Sequence, residues 1–242
     1  METMAGRRIL ALGTHPDDVE LTCGASIARW VRDGDTAILV VATDGSRGGK
    51  DVDSDPRETA RIRRNEQMEA AEIIGFEDVV FLGLRDGEVE DIPELRALLV
   101  EQIRRFRPEV AIAMDPLTVI HRNSYVNHRD HRILGMAFLD ALYPEASNAA
   151  YFPEQLARGL EVHKCPELLL SATESPNYWV DVSETLETRF TALRCHASQI
   201  QLWLENGEVL IEEQRERAAS VGAAQGMGYA EEFRRVIADQ LS

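Results

Sequence analysis

Short, uniformly apolar runs alternate with amphipathic stretches along most of this chain, and that alternation restricts the fold more than any other feature. The runs are 9–12, 37–42, 79–84, 110–114 and 168–172, the first reading Ile9-Leu10-Ala11-Leu12. A strand apolar at successive positions, not at alternate ones, is covered on both faces. The stretches between, at about 17–33, 57–75, 92–106 and 128–143, carry apolar residues at helical spacing. Gly34 and Gly75 stand just past two of them, where a left-handed residue ends a helix. Strand, helix, strand, helix in this order predicts right-handed βαβ units and a mostly parallel sheet. We expect a three-layer α/β domain over residues 1–200. The tail, 201–242, is charged and largely helical in pattern, and we expect a helical extension packed on the same domain.

At 242 residues the chain can bury a full core without disulfides. A net charge of −16 argues against nucleic acid or anionic lipid as partner, since both need basic surface. No run approaches the roughly 18 apolar residues of a membrane span. The N-terminus lacks the apolar core of a signal peptide. Cys23, Cys165 and Cys195 show no CxxC spacing, so neither a thiolate metal site nor a redox pair is expected. Sparse cysteines fit a reducing, cytoplasmic setting.

In a parallel sheet the loops leaving the C-terminal strand ends build the site. The long loops are about 44–56, 116–127 and 144–166, and loops of this length are usually functional. No GxGxxG follows the first strand, where the chain reads Gly13-Thr14-His15-Pro16-Asp17-Asp18. Gly45 to Lys50 fails as a phosphate-binding loop, because Asp44 replaces the first glycine and Asp51 follows the lysine. It reads instead as a glycine-rich site loop. Pro16 with an acid in the first turn is a good helix start. That does not explain a histidine beside two adjacent carboxylates at a buried strand end, which repel one another unless a cation is present.

A second cluster is His128-Arg129-Asp130-His131, with His121 just upstream. The i, i+3 spacing puts His128 and His131 on one face if a helix starts there. Both clusters leave C-terminal strand ends and share one rim. Imidazole and carboxylate without thiolate suit a catalytic zinc with an open position. His196-Ala197-Ser198-Gln199 and Arg63-Arg64-Asn65-Glu66 are, by themselves, a helix end and a salt-bridged helix face.

Together these residues resemble the PIG-L/LmbE-like family of zinc-dependent N-acetylglucosaminyl deacetylases. The resemblance rests on His15-Pro16-Asp17-Asp18, Thr43-Asp44-Gly45, Arg63 to Glu66, His128 to His131 and His196 to Gln199, in that order over roughly 7–200. It implies a Rossmann-like fold and hydrolysis of an acetamide to an amine and acetate. By resemblance, His15, Asp18 and His131 are the Zn2+ ligands and Asp17 is the general base. His128 stabilises the oxyanion or protonates the leaving amine, and Asp130 orients it. Arg63, Asp44 and Gly45 contact the substrate. The chain departs from the usual pattern at Val19-Glu20 and at Gly24-Ala25, positions that concern helix packing.

The expected substrate is a small-molecule N-acetylated amino sugar or its conjugate. The rivals are a zinc amidase that cleaves a larger conjugate and a non-catalytic zinc- or sugar-binding protein. The resemblance also implies a homo-oligomer, with the tail as an interface. Which group protonates the leaving amine, His128 or Asp17, stays open, as do the roles of His121, His163 and His196.

Overall fold

A computed structural model describes residues 6–49, 53–203 and 207–237. Lys50 of the expected site loop and the last residues of the tail, 238–242, lie outside the described residues. The apolar runs form β1 (Arg8–Gly13), β2 (Thr36–Thr43), β3 (Asp78–Leu84), β4 (Val110–Met114) and β7 (Glu167–Ser171). They pair in parallel in the order β3-β2-β1-β4-β7.

The reason for their uniform apolarity is visible in the packing. Ile9 and Ala11 of β1 face one buried cluster, with Trp30 and Phe190; Leu10 and Leu12 face the other, with Leu99 and Phe138. Successive side chains of a strand point to opposite faces, so a sheet between two helix layers needs apolar residues at every position. Each fully buried leucine or phenylalanine contributes about 1.5–3 kcal/mol. The first layer is α2 (Gly24–Arg32), α3 (Pro56–Ile74) and α7 (Leu186–Cys195); the second is α4 (Pro93–Phe106) and α5 (Arg129–Asp140). The start of α3 is fixed by Asp55, whose side chain accepts from Arg57 N–H, and by Pro56; its end is fixed by Gly75 at φ 97°.

Three expectations change. The helix expected over 17–33 breaks at Cys23 into α1 (Asp18–Thr22) and α2. The break is held from the far end of the chain, where the Glu231 carboxylate accepts from Ala25 N–H (3.2 Å) and Ser26 N–H (2.7 Å). The helix expected to reach 143 stops at Asp140 and gives way to a π-type turn, Ala141–Glu145, that contains Pro144.

The tail is not wholly helical. It contributes the end of α8 (Ala197–Trp203) and α9 (Gly207–Ala224), and then β9 (Ala230–Ile237) enters the main sheet. There β9 runs antiparallel to β7 and to β8 (Tyr178–Asp181). The chain therefore does not divide at residue 200. The tail's charge is partly internal, since Glu231 is buried and paired with the buried Arg189 (3.3 Å). The remaining elements are a small hairpin, β5 (Ile120–His121) with β6 (Tyr125–Val126), and α6 (Pro153–Ala157). No described helix is long and apolar enough to cross a membrane.

Candidate active site

The strand order reverses direction between β1 and β4, the position where open α/β sheets leave a ligand crevice at their C-terminal ends. Past β1, Asp17 adopts φ 106°, a left-handed conformation that costs an aspartate about 1–3 kcal/mol. The two adjacent aspartates then make different contacts. Asp18 Oδ2 accepts from the backbone N–H groups of Thr14 (2.9 Å) and His15 (2.8 Å), and Oδ1 lies 3.3 Å from His131 Nε2. Asp17 Oδ2 accepts from Arg63 Nη2 (3.0 Å), and its backbone N–H donates to Gln67 Oε1 (3.0 Å). Past β4, His128 caps α5, its Nδ1 accepting from Asp130 N–H (3.2 Å). His131 follows within the first turn of the same helix.

His15 joins the clusters. Its Nδ1 is 3.0 Å from His131 Nε2 and 3.6 Å from Asp18 Oδ2, while its Nε2 is 3.2 Å from Asp86 and 3.8 Å from Asp130. The far nitrogen of His131, Nδ1, is 3.0 Å from Asn127 Oδ1. Each ring thus presents one nitrogen to a common point and ties the other to an oxygen, the arrangement that orients metal-binding histidines. Donor atoms of His15, His128 and His131, and of His15, Asp86 and Asp130, also gather closely enough to hold a cation.

The electrostatics ask for positive charge. Although burial opposes it, Asp130, Asp18 and Asp86 hold the His15 imidazolium well above the usual histidine range. Burial works against ionised Asp18 too, yet His131 and His15 hold its carboxyl well below the ordinary carboxylate value. Asp17 behaves differently: burial pushes it up to about 6, against the pull of Arg63. Burial, reinforced by the neighbouring His15 and His131 charges, lowers His128.

A cavity of about 930 Å³ opens over these groups, and His15, Asp17, Asp18, His128, Asp130 and His131 all line it. Three expected roles are rearranged. Asp130 touches His128 through its backbone N–H, whereas its carboxylate accepts from Gly87 N–H (2.6 Å). Asp44 does not line the cavity; its Oδ1 accepts from Ser46 and Asp86 N–H and shapes the loop. Gly45, at φ 62°, offers its carbonyl to Arg63 (2.9 Å), and among the described loop residues Arg47 and Gly48 reach the cavity. Arg63 lines the cavity but is spent largely on Gly45, Pro16 and Asp17.

Sequence reasoning missed Asp86 and Gly87, which follow β3 and share the rim. The rule that the C-terminal strand ends build the site would have found them. It also missed Tyr125 of the hairpin and Leu210, Gln214 and Arg217 of α9, which wall the cavity. His121 lines the cavity with its Nδ1 2.6 Å from Glu174, and His163 contacts the Pro108 carbonyl (2.7 Å) elsewhere.

Fold and site together define a doubly wound α/β protein with a metal-capable histidine–aspartate cluster at its topological switch point. The chain belongs to the PIG-L family, whose description is GlcNAc-PI de-N-acetylase and whose model matches residues 10–142. It is 30% identical to a diacetylchitobiose deacetylase of Thermococcus kodakarensis, over 81% of this chain and 73% of that one. It is 28% identical to a 1D-myo-inositol 2-acetamido-2-deoxy-alpha-D-glucopyranoside deacetylase of Thermobispora bispora, over 82% and 81%. Among solved structures, the N,N'-diacetylchitobiose deacetylase of Pyrococcus horikoshii superimposes with a TM-score of 0.85 at 29% identity, over 96% of this chain and 84% of that one.

Proposed function

We propose that this protein is a zinc-dependent N-deacetylase that hydrolyses the acetamide of an N-acetylated amino sugar or its conjugate. One observation carries the reading: His15 Nδ1, His131 Nε2 and Asp18 converge at 3.0–3.6 Å beside a separately held carboxylate, Asp17. Ligands about 2.0–2.1 Å from a tetrahedral zinc stand about 3.3–3.4 Å apart. The two ring nitrogens at 3.0 Å, with Asp18 Oδ1 3.3 Å from His131 and Oδ2 3.6 Å from His15, are near that spacing and support the reading. The groupings through Asp86 and Asp130 use the opposite nitrogen of His15, which supports an outer, orienting role for those carboxylates. Acetylated amino sugars as substrates of the relatives support the substrate class.

When bound there, zinc supplies Lewis-acid polarisation of the acetamide carbonyl and an acidified water. The protein's own groups do the rest. Asp17, its Oδ2 held by Arg63, takes the proton of the attacking water as that oxygen bonds to the carbonyl carbon. His128 has its Nδ1 engaged as an acceptor, so its neutral ring carries the N–H on Nε2 and offers it to the developing oxyanion. The C–N bond then breaks, and the amine leaves with the proton that Asp17 took from the water, releasing acetate.

The test is acetate release from N-acetylglucosamine and from its disaccharide and conjugates, with and without chelator. Chelator-sensitive release that zinc restores is expected; a metal-free protein with full activity, or no release across the panel, contradicts the reading. A cytoplasmic homo-oligomer is part of the same reading. Exposed Ile120, Tyr125 and Val126 on the hairpin offer apolar surface that a second copy would cover. Light scattering that gives a 27.1 kDa monomer at every concentration contradicts it.

A further inference from the structure

Behind Asp17 runs a chain of polar side chains that none of the cavity-lining positions includes. Asp17 N–H donates to Gln67 Oε1 (3.0 Å), and Gln67 Nε2 donates to Glu20 Oε1 (2.8 Å). Glu20 Oε2 lies 3.5 Å from His196 Nε2. Gln67 is 1% exposed, and Glu20 and His196 are 0% exposed. Among the described residues, Glu20 Oε2 and both ring nitrogens of His196 lack a hydrogen-bond partner. A carboxylate and an imidazole sealed from water are costly unless each serves the other. Here they face each other.

The chain ends on the most strained non-glycine residue of the rim. A left-handed aspartate persists only where its surroundings over-determine it. Gln67 is one of those restraints, and it works only with its carbonyl end toward Asp17. A glutamine amide can present either end. Glu20 takes the NH2 end and so turns the carbonyl end to Asp17 N–H. His196 Nε2 stands 3.5 Å from Glu20's second oxygen, within ion-pair reach, and so holds that carboxylate in place. The segment carrying His196 is locked to the helix carrying Gln67, because Ser198 N–H (2.8 Å) and Oγ (2.7 Å) both donate to Glu66.

We propose that His196 is a positioning residue for Asp17, acting through Glu20 and Gln67 to keep the Asp17 peptide in its left-handed conformation. This rests on Asp17 as the general base, and it gives work to two sequence features that packing alone had covered, Glu20 and the His196–Gln199 segment.

The experiment compares His196→Phe, which removes the donor at similar volume, with His196→Gln, which restores an N–H, and with Gln67→Met. Misplacing a catalytic group by about 1 Å costs up to about 10²-fold, so His196→Phe should lower kcat by about 10–100-fold with KM and zinc content unchanged. His196→Gln should recover most of the loss. The double variant His196→Phe/Gln67→Met should be no slower than the worse single variant, because both cut one chain. In metal-free protein the Asp17 amide should exchange its hydrogen at least about tenfold faster in His196→Phe than in wild type.

A folded His196→Phe with wild-type kcat and wild-type Asp17 exchange overturns the proposal, as does a loss confined to KM or to zinc. If His196→Phe does not fold, Gln67→Met decides: a wild-type rate and wild-type exchange overturn the proposal. Inactivity of the wild type on every substrate refutes the deacetylase reading instead, and the exchange measurement still judges the positioning role.

Discussion

The cavity's inner rim, residues 13–18 and 127–131, and its outer wall, the β5–β6 hairpin with α9, differ in what holds their side chains. On the rim, Asp17, Asp18 and His131 are buried, and backbone N–H groups or buried side chains fix each one. On the wall, Arg217 and Arg122 share one oxygen of Glu232, at 3.1 and 3.0 Å, with a third to a half of each arginine exposed. Ion pairs whose arginines stay this open to solvent contribute modestly. The rim is therefore suited to chemistry, where small displacements are costly. The wall is suited to accommodating whatever the acetamido sugar is attached to.

Substitutions on the two sides should separate accordingly. The largest effect is expected for His15→Ala, which removes a donor from the metal-capable cluster: zinc should be lost, and activity should fall below about 10⁻³ of wild type. Metal analysis beside the acetate assay checks it. Asp86→Asn, which weakens the partner of His15 Nε2, should lower metal affinity or activity by about 10–100-fold, read by zinc titration.

The pH profile sharpens the rim further. Burial favours neutral Asp17, so its carboxyl is protonated and idle as a base below about 6 and ionised above. The ratio kcat/KM should therefore rise with pH through that value, changing about tenfold per unit on the acid limb. Initial rates from about two units below that value to about two units above it check it. The smallest effect should come from the wall. Arg217→Ala removes one half-buried hydrogen-bonding group, so KM should rise about two- to tenfold on a long substrate, with kcat and zinc unchanged. An equal loss on the monosaccharide would place Arg217 nearer the chemistry than the comparison allows.

The parts of the fold legible in the sequence were those whose burial repeats locally. β1, β2, β4 and β7 declared themselves because both faces of each are covered, the edge strand β3 by its apolar run, and Gly75 marked the end of α3. The break between α1 and α2 was not legible, since the groups that hold it belong to Glu231 in the last strand. β9 was masked by its own charges, two of which, on Glu231 and Glu232, are satisfied by arginines from other elements. In the site, the histidines and aspartates stood out because crowded titratable groups need a common partner. Gln67 and Glu20 did not, because a single polar residue in a helical pattern looks like solvated surface until tertiary packing buries it. Nor could spacing show that Asp130 meets His128 through its backbone and Gly87 through its carboxylate.

The central claim is that two adjacent carboxylates do separate jobs, Asp18 holding metal and Asp17 moving a proton. Zinc content and kcat, measured together in Asp17→Asn and Asp18→Asn, test it most directly. Asp17→Asn keeps the shape but cannot take a proton, so zinc should stay while kcat falls by about 10²–10⁴-fold. Asp18→Asn removes a negative donor beside His131, so zinc occupancy should fall along with the rate. Loss of zinc in Asp17→Asn with retention in Asp18→Asn would reverse the assignment, and near-normal rates with zinc retained in both would contradict the account.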